Sequence, residues 1–499
     1  MVRCIQVTII CVIMLLCVNV TIVFAQVPDT MWTQTYGDTT YQTGYSVSPT
    51  FDGGYIIAGE TGYRAGQTPR NAWLLKTDQN GDTIWTKTYG GTEEDRAYCA
   101  VQTDDSCYAV VGYSLSYSAS PSFEDVWFFK TDINGDTLWA YTIDGGPIHD
   151  RADRGLCLQQ TIDNGFIISG YTCNDGGFAD VFLVKTDTAG TVEWTQTYGE
   201  ETRVEYGMAV EQTSDSGYII GGFGHQFGSD FRVWILKTDY AGDTTWTTTY
   251  GSPGYTDCFS IQQTSDGGYI FTGETSYGAG GRDLWLFKTD ANGDSLWAKV
   301  YGGPENDYGL AVRQTTDNGY IITGSTQCYG SGRDVWLLKT DADGDTLWTR
   351  IWGGALNEVG ISVEQTPDFG YIITGRRQID SDNHDLWLLK VEPDLSITEN
   401  GSTCPPEFSI LQISPNPFRH FTDIRCQITD NCNETVLMVY DIEGRKIKDL
   451  TEGLSAASHQ STVKWSGTDN FNRILPSGVY FLKLMAGDYA VTRKLLLIR

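Results

Sequence analysis

The stretch Asp334-Val-Trp-Leu-Leu-Lys-Thr-Asp-Ala-Asp-Gly-Asp-Thr-Leu-Trp348 holds two short runs separated by an acidic, glycine-containing turn. Runs of this length, rich in Val, Leu, Thr and Trp and bounded by Asp and Gly, are typical of antiparallel strands joined by a hairpin. The closing tryptophan recurs at spacings of 53, 54, 55, 52, 51 and 51 residues, at Trp32, Trp85, Trp139, Trp194, Trp246, Trp297 and Trp348. Self-similarity at a nearly fixed period indicates a repeat architecture.

Each repeat predicts four strands. Two further runs precede the quoted stretch in each repeat. The first contains small residues and ends in Gln-Thr, and a Thr-x-Asp-x-Gly turn connects it to a second, apolar run. In the fifth repeat the turn is Thr264–Gly268 and the second run is Tyr269–Gly273. No segment of this region has helical spacing. Four short strands in a unit of about fifty residues are typical of a β-propeller blade. We therefore expect an all-β protein with a seven-bladed β-propeller over residues 26–395.

The two ends of the repeat region predict how such a ring closes. The first repeat has no third strand before Trp32, and the seventh has a third strand at Leu386–Lys390 but no fourth strand after it. We expect the strand around Trp32–Tyr36 to complete the last blade, because closure removes the exposed edges of an open sheet.

The N-terminus and the charge predict an exported protein. Arg3 precedes an apolar run from Val7 to Val23 that ends in a cleavage-site pattern at Ala25, so residues 1–25 predict a signal peptide, with a membrane anchor as the alternative. The formal net charge is −29, and Lys and Arg are scattered. This pattern argues against a nucleic-acid partner, since phosphate binding needs basic patches.

Nine of the twelve cysteines follow the signal segment, and no C-x-x-C pair occurs. Cys99, Cys157 and Cys258 stand where other repeats have Ala, Ser or Gly, so we interpret them as small packing residues. Cys426 and Cys432 are the candidate disulfide of an extracellular protein, and spacing alone leaves that pairing open.

The composition changes after the last repeat. Residues 396–410 predict a linker, and residues 411–499 contain short alternating strands that predict a small β-sandwich. Its markers, in order, are Ser414-Pro-Asn-Pro-Phe418, Tyr440-Asp441 with Gly444-Arg445, Trp465-x-Gly467, Ser477-Gly-Val-Tyr480 and a basic, apolar terminus. In these five elements the segment resembles the C-terminal sorting domain of cargo exported by the type IX secretion system, in its Ig-like type A form.

This resemblance implies two-step export, first by the signal peptide and then by recognition of the C-terminal domain by the type IX machinery. The product would be secreted or attached to the outer surface. The residues that carry the motif are Pro415, Asn416, Pro417, Gly444, Arg445, Gly478, Tyr480 and Lys494. The repeats resemble tryptophan-rich propeller repeats of exported prokaryotic proteins. Their Thr-x-Asp-x-Gly turn is similar to the Asp-box turn of sialidase-like propellers, which supports the fold and gives little support to sialidase activity.

Catalytic motifs are scarce in the repeats. His149, His225 and His384 lie in different repeats without metal-ligand spacing, and there is no nucleophile elbow, zinc-binding helix or phosphate loop. The arginines do not share one repeat position, as a sialidase-like cluster would require. A pair of glycosidase carboxylates stays open, because such pairs are assembled in space and leave little trace in sequence.

Two acidic sets are candidate sites. Asp341, Asp343 and Asp345 offer three carboxylates on alternate residues, which suits Ca2+, although a plain hairpin turn explains the same residues. The second set precedes the third strand of five repeats and consists of Asp125, Asp180, Asp283, Asp334 and Asp385. It predicts a shared ligand or ion face, and strand-start capping is the alternative.

Thirteen of the fifteen tryptophans lie at two repeat positions, and Phe182 fills the one vacant position. We interpret them as packing between blades rather than as a carbohydrate platform. The predicted function is a monomeric, secreted or surface-displayed scaffold that binds a protein or polysaccharide with its variable loops. The alternatives are an extracellular glycan-processing hydrolase or lyase and a structural surface component. Carboxylates and basic residues that converge at the channel mouth would favour the enzyme.

Overall fold

The structure is a computed structural model. It describes residues 27–63, 69–120, 122–145, 152–174, 176–200, 202–226, 231–251, 254–278, 280–328, 332–381, 383–393, 409–414, 418–427, 435–440, 446–454, 460–470, 473–476, 478–486 and 489–497. The predicted signal peptide and linker residues 396–408 lie outside this part of the chain. One compact unit spans Phe24–Ser396, and a second includes Ile397–Arg499.

The first unit contains seven four-stranded antiparallel sheets, here called sheets one to seven in the chain order of their first strands. Sheet one consists of β2 (Tyr41–Pro49), β3 (Tyr55–Tyr63), β4 (Asn71–Thr77) and β5 (Thr83–Tyr89). Sheet two consists of β6 (Asp95–Gln102), β7 (Tyr108–Ser114), β8 (Asp125–Thr131) and β9 (Thr137–Ile143). Sheet three consists of β10 (Asp153–Gln160), β11 (Phe166–Cys173), β12 (Ala179–Thr186) and β13 (Val192–Tyr198). Sheet four consists of β14 (Arg203–Gln212), β15 (Tyr218–Gln226), β16 (Arg232–Thr238) and β17 (Thr244–Tyr250). Sheet five consists of β18 (Ser260–Gln263), β19 (Tyr269–Thr275), β20 (Asp283–Thr289) and β21 (Ser295–Tyr301). Sheet six consists of β22 (Asp307–Gln314), β23 (Tyr320–Thr326), β24 (Asp334–Thr340) and β25 (Thr346–Trp352). Sheet seven consists of β26 (Glu358–Gln365), β27 (Tyr371–Asp380), β28 (Asn383–Val391) and β1 (Thr30–Tyr36).

Sheet seven joins the two ends of the repeat region. β1 is its fourth strand and pairs antiparallel with β28, with Trp32 opposite Lys390 and Tyr36 opposite Leu386. In sheets one to six the hairpin turns after the first and third strands lie at one end, here called the turn end, and in sheet seven the turn after the first strand lies at the same end. The loops after the second strand lie at the opposite end, here called the loop end.

The second and third strands of each sheet are largely buried on both faces, because a separate apolar core lies between every two consecutive sheets. Between sheets one and two, for example, Leu74 packs with Val110 and Phe129. The same arrangement links the last sheet to the first, where Leu386 and Leu388 pack with residues of sheet one such as Ile57. The last sheet therefore packs against the first sheet as well as against the sheet before it.

The tryptophan that marks the repeat contributes to these contacts. In six cases the tryptophan of the fourth strand packs on the tyrosine that begins the second strand of the next sheet, with ring centroids 5.9–6.1 Å apart. The pairs are Trp32–Tyr55, Trp85–Tyr108, Trp194–Tyr218, Trp246–Tyr269, Trp297–Tyr320 and Trp348–Tyr371. The interpretation of these tryptophans as packing residues between sheets is confirmed.

The hairpin turn after the third strand is shaped by the same contact. Gly135 has φ of +79°, and a Cβ atom at this position would lie 3.0 Å from the Trp85 ring of the preceding sheet. The Tyr89 hydroxyl donates to the Gly135 carbonyl over 2.7 Å. Glycine is required here both for the backbone conformation and for the close approach of the indole.

An ion pair between a buried lysine and a half-exposed aspartate recurs in every sheet at the turn end. The lysine near the end of the third strand reaches the aspartate of the Thr-x-Asp turn over 2.7–3.0 Å, and the lysine side chains are at most 9% exposed. The pairs are Lys76–Asp52, Lys130–Asp105, Lys185–Asp163, Lys237–Asp215, Lys288–Asp266, Lys339–Asp317 and Lys390–Asp368. The turn threonine also donates to the aspartate, as Thr264 does to Asp266 over 2.5 Å.

These partners hold the turn aspartates in the charged form. Burial alone would raise the pKa of Asp105, but the Lys130 ammonium and the Thr103 hydroxyl lower it to about 2. The same balance lowers the pKa of Asp317, beside Lys339. A carboxylate whose pKa is lowered by folding stabilises the folded state above its unfolded pKa, and this contribution is lost as the pH falls through the folded pKa.

The second unit packs two antiparallel sheets around one core. The first sheet has the strand order β29 (Ser409–Ser414), β30 (Thr422–Gln427), β33 (Gln460–Trp465). The second sheet has the strand order β32 (Lys446–Asp449), β31 (Thr435–Tyr440), β34 (Gly478–Ala486), β35 (Tyr489–Leu497). A short 3-10 helix spans Thr451–Gly453. Trp465 is 1% exposed and packs between Phe418 and Tyr480, at centroid distances of 5.4 and 5.7 Å. Cys426 is a buried free thiol, and Cys432 lies outside the described residues.

The predicted sorting motif is described only in part. Gly478 begins β34, Tyr480 lies in the core, and the Lys494 backbone pairs with Phe481. Five motif residues lie outside the described part of the chain: Pro415, Asn416, Pro417, Gly444 and Arg445.

The ion pair of sheet six, between buried Lys339 and half-exposed Asp317, gives a stability test. Asp317→Asn leaves the Lys339 ammonium without its carboxylate, and we expect a loss of about 2 kcal/mol in the free energy of unfolding, because water screens the exposed side of the pair. Asp317→Asn combined with Lys339→Met removes the buried charge and should recover most of that loss. Thermal denaturation of both variants measures the difference.

A matched control is Asp343→Asn in the exposed turn of the same sheet, where sheets one, two and five already have Asn. It should change the free energy of unfolding by less than about 0.5 kcal/mol. A double variant as unstable as Asp317→Asn alone would contradict the electrostatic explanation.

Candidate functional site

The predicted calcium residues form a hairpin turn. Asp341 Oδ1 accepts the backbone N–H groups of Asp343 and Asp345 over 3.0 and 2.8 Å, and Asp345 pairs with Lys299 of sheet five over 2.8 Å. These are the bonds of the alternative that the sequence left open. The described residues contain no group of three or more His, Cys, Asp and Glu side chains placed to hold a metal ion. Calcium binding at this turn stays a prediction.

The five aspartates of the predicted ligand face lie at the loop end, at the start of their third strands. Asp125, Asp283 and Asp334 are only 1–4% exposed. Several pack against the glycine that follows the fourth strand; a Cβ atom at Gly353, for example, would lie 1.8 Å from Asp334. Burial raises the pKa values of Asp180, Asp334 and Asp385. Their positions agree with strand-start capping, and their contact with a ligand stays a prediction.

A cavity of about 480 Å3 is lined by the first strand of all seven sheets. Its lining forms three rings with one residue from each sheet. The first ring consists of Tyr45, Tyr98, Leu156, Met208, Phe259, Leu310 and Ile361. The second ring consists of Ser46, Cys99, Cys157, Ala209, Ser260, Ala311 and Ser362. The third ring, nearest the turn end, consists of Ser48, Val101, Gln159, Glu211, Gln262, Arg313 and Glu364.

Each ring has a physical cause in the first strands. Six of the seven first-ring residues are the extra residue of a β-bulge, which turns a side chain away from the ladder. The second ring is small because the strands converge there. In the third ring Arg313 pairs with Glu364 over 2.7 Å, and burial raises the pKa of Glu211 to about 7.

Aromatic and arginine side chains form a continuous belt at the loop end of the cavity. Its members, from sheet one to sheet five, are Tyr45, Tyr98, Tyr113, Arg154, Tyr171, Tyr206, Phe223, Phe231, Tyr255 and Arg282. The contacts are close: Tyr171 and Tyr206 meet edge to face at 4.7 Å, and the Arg282 guanidinium lies 3.5 Å from the Tyr255 ring centroid. Cation–π contacts of this kind hold arginines in place without neutralising them.

Arginine–carboxylate pairs accompany the belt. Arg154 pairs with Glu124 over 2.5 Å, and Arg96 pairs with Glu60 over 2.8 Å. Tyr45 hydrogen-bonds the Glu60 carboxyl, whose pKa is raised by burial against the opposing effect of Arg96. The belt therefore presents fixed arginine–carboxylate pairs and tyrosine hydroxyls at one end of the cavity.

A pair of buried acids lies in sheet five beside the belt. Asp257 and Glu274 are 1% and 2% exposed, and the Asp257 N–H donates to the Glu274 carbonyl over 3.0 Å. Arg282 pairs with Glu274 over 2.6 Å. Burial raises the pKa of Asp257 to about 7, although the Tyr255 hydroxyl opposes the shift. Sequence reasoning could not place this group of two carboxylates and an arginine, and its side chains are not among those that line the cavity of about 480 Å3.

Sequence analysis missed the belt and the acid pair because these residues vary between repeats. The belt positions lie beside the bulge in the first strand and after the glycine of the second strand, where one repeat has Tyr and another Glu, Ser or Arg. The signal that could have found them is the set of positions where the seven repeats differ, taken at the loop end.

The C-terminal unit is identified by comparison with known families. Residues 412–498 match the family described as the secretion system C-terminal sorting domain. This segment is a sorting domain. The match indicates export through a type IX secretion system, and so a secreted or surface-attached protein. The described residues include no helix that is long and apolar enough to cross a membrane.

Several solved structures are similar to the chain. PorZ of Porphyromonas gingivalis, an essential bacterial surface component of the type IX secretion system, is 13% identical with a TM-score of 0.44, and the match covers 93% of this chain and 60% of PorZ. A copper-containing fungal alcohol oxidase of the AA5 family is 10% identical with a TM-score of 0.47, over 95% of this chain and 100% of that chain. The BP39L lectin of Burkholderia pseudomallei is 10% identical with a TM-score of 0.44, over 71% and 99%. The chain thus spans about 60% of the length of PorZ. Likenesses at these TM-scores assign no function, and no curated protein matches the chain.

The raised pKa of Asp257 predicts a pH-dependent stability difference. Its pKa rises from the usual 3.8 to about 7, so the folded state holds this proton more tightly than the unfolded state does. The carboxyl therefore destabilises the fold progressively as the pH rises from about 4 to about 7. Asp257→Asn should raise Tm relative to the unmodified protein at pH 8, and this gain should vanish at pH 4.

Differential scanning calorimetry at both pH values checks the expectation. Asp294→Asn, in an exposed turn of the same sheet, is the matched control and should show no pH-dependent difference. A Tm difference between Asp257→Asn and the unmodified protein that is equal at both pH values would show that burial does not raise this pKa.

Proposed function

We propose that this protein is a secreted or surface-attached binding scaffold, a closed seven-bladed β-propeller that presents its loop end to an extracellular polysaccharide or protein, followed by an Ig-like sorting domain. The sorting domain delivers the chain to the type IX machinery. The aromatic and arginine belt at the loop end is the observation that carries the binding function.

Four observations support the closed propeller. β1 completes sheet seven by pairing with β28, and Trp32 of this strand packs on Tyr55 of sheet one. One apolar core joins sheets seven and one, and one cavity touches the first strands of all seven sheets. A four-stranded sheet repeated around a central channel accounts for all four observations.

The belt has the composition of a recognition surface. Tyrosine, tryptophan and arginine are enriched among the residues that carry binding energy in interfaces. Most belt aromatics are half-buried, so they are held by the fold and still offer an edge to a partner, as Tyr171 and Tyr206 do. Tyrosine also combines an apolar face with a hydroxyl, which suits the mixed surface of a sugar or a peptide.

The second candidate is an extracellular glycan-processing hydrolase or lyase. The observation in its favour is the buried pair Asp257 and Glu274, with Arg282 and Tyr255 beside it. A carboxyl with a pKa near 7 can give or take a proton at neutral pH, as a general acid or base must. In this candidate Asp257 is the proton donor or acceptor.

The binding proposal is tested with the full-length exported chain on an array of extracellular glycans and surface proteins. We expect Tyr171→Ala to weaken binding of the ligand found by at least ~10-fold, because a half-buried interface aromatic contributes about 2 kcal/mol or more. Tyr141→Ala, on the exposed face of the fourth strand of sheet two, is the matched control and should bind normally. Equal affinity of both variants would remove the belt from the binding site.

Product analysis of the same glycans separates the two candidates. Turnover that disappears in Asp257→Asn would establish the enzyme, and binding without turnover would establish the scaffold. Absence of binding to every glycan and protein tested would contradict both.

The sorting domain gives a separate prediction. Deletion of residues 411–499 should leave the first unit folded but retain it in the periplasm of a host with a type IX system. Fractionation with an antibody to the first unit measures this outcome. The full-length chain is the control, and surface delivery of the truncated chain would contradict the assignment.

A further inference from the structure

A second cavity lies at the loop end of sheet four. Its volume is about 600 Å3, and it is lined by the connection after β13 and by all four strands of the sheet. The lining includes Glu205 of β14, Gly224 and His225 of β15, and Arg232 and Trp234 of β16. Three of these positions differ from the corresponding positions of the other sheets.

The first difference is a glycine opposite a buried carboxyl, one oxygen of which has no donor. Gly224 stands opposite Glu205, at the position where sheet two has Ser114 opposite Asp95. The Ser114 hydroxyl donates to Asp95, whereas Gly224 has no hydroxyl. Glu205 is 5% exposed, and its Oε2 has no hydrogen-bond partner among the described residues. A buried acceptor without a donor destabilises the folded protein, and a hydroxyl of a bound ligand would supply the missing hydrogen bond.

The second difference is a reversal of charge. Five other sheets begin the third strand with aspartate, but sheet four begins it with Arg232, which is exposed and forms no ion pair with a described residue. The other lining arginine, Arg203, pairs with Glu200 over 3.1 Å. Burial raises the pKa of Glu205 to about 7, which reduces its negative charge near neutral pH. In a chain of net charge −29, this cavity is therefore a local site for an anionic group.

The third difference is the exposure of an indole. Tryptophans at the same position in five other sheets are buried, whereas Trp234 is partly exposed and lines the cavity. Its Nε1 donates to Thr247 Oγ1 over 2.6 Å, which fixes the plane of the ring. A fixed indole face is a platform for the C–H face of a sugar ring.

We propose that the cavity of sheet four binds a carboxylate-bearing sugar residue of an extracellular polysaccharide. The carboxylate pairs with Arg232, the sugar ring lies on Trp234, and a hydroxyl donates to Glu205. This inference rests on the proposed binding function and names its ligand class. A charge-assisted bond to arginine and a hydroxyl that matches an unpaired acceptor together select an acidic sugar over a neutral one.

The experiment is calorimetric titration of the full-length exported chain with oligogalacturonate, alginate and hyaluronan oligosaccharides, and with the carboxyl-reduced form of each. We expect at least one acidic oligosaccharide to bind. Its carboxyl-reduced form should bind at least ~10-fold more weakly, because the charged contact with Arg232 is lost.

Variants taken from the other sheets test the residues. Gly224→Thr supplies the missing hydroxyl and fills the cavity, and Arg232→Asp restores the residue of the other sheets; each should weaken binding at least ~10-fold. Trp336→Phe, at the position of Trp234 in sheet six, is the matched control and should keep the affinity, since sheet three already has Phe182 there. Circular dichroism and Tm confirm that each variant folds.

The outcomes separate this inference from the proposed function. Full affinity in both Gly224→Thr and Arg232→Asp would overturn the cavity as the site while binding by the scaffold stands. Equal affinity for acidic and carboxyl-reduced sugars would overturn the ligand class. Binding of neutral glycans alone would overturn this inference but leave the proposed scaffold function standing. Absence of binding to every glycan and protein tested would overturn both.

Discussion

A four-stranded sheet that is apolar on both faces is stable only between two neighbours, and the first unit of this protein is organised around that requirement. Burial of apolar surface is the dominant favourable term in folding. Each sheet here shares one core with the sheet before it and one with the sheet after it. The strand that begins the unit completes its last sheet, so sheets one and seven also have two neighbours. The repeat thus needs all of its copies to bury its cores.

The two ends of the sheets have different roles. At the turn end, every sheet repeats the same lysine–aspartate pair, as in Lys339–Asp317, and sheets one to six repeat the same glycine turn against an indole, as at Gly135. These repeated packing contacts leave little room for variation at this end. At the loop end, the corresponding positions carry Tyr, Phe, Arg, Glu or Gly, and the belt and the sheet-four cavity both lie there. Structural constraint and recognition are therefore separated along the strands.

The acidic side chains show why position along the strand matters more than charge. The turn aspartates have lysine and threonine partners, and their pKa values fall, so they stabilise the fold. Asp257 and Glu205 are buried at the loop end, and their pKa values rise to about 7. Such groups destabilise the folded state at neutral pH, and proteins concentrate groups of this kind at functional sites. The same residue type thus serves stability at one end and chemistry or binding at the other.

The sequence by itself determined the all-β class, the repeat period, the tryptophan packing and the C-terminal sorting domain, because each follows from local pattern or from a continuous motif. It also placed the strand around Trp32 in sheet seven, since the count of strands at the two ends required it. Only the tertiary structure decided which side chains meet. Glu205 Oε2 lacks a donor, with Gly224 opposite it in the ladder, and the belt exists because aromatic and arginine side chains from five sheets contact one another. These contacts join side chains of different sheets, and no single repeat contains that information.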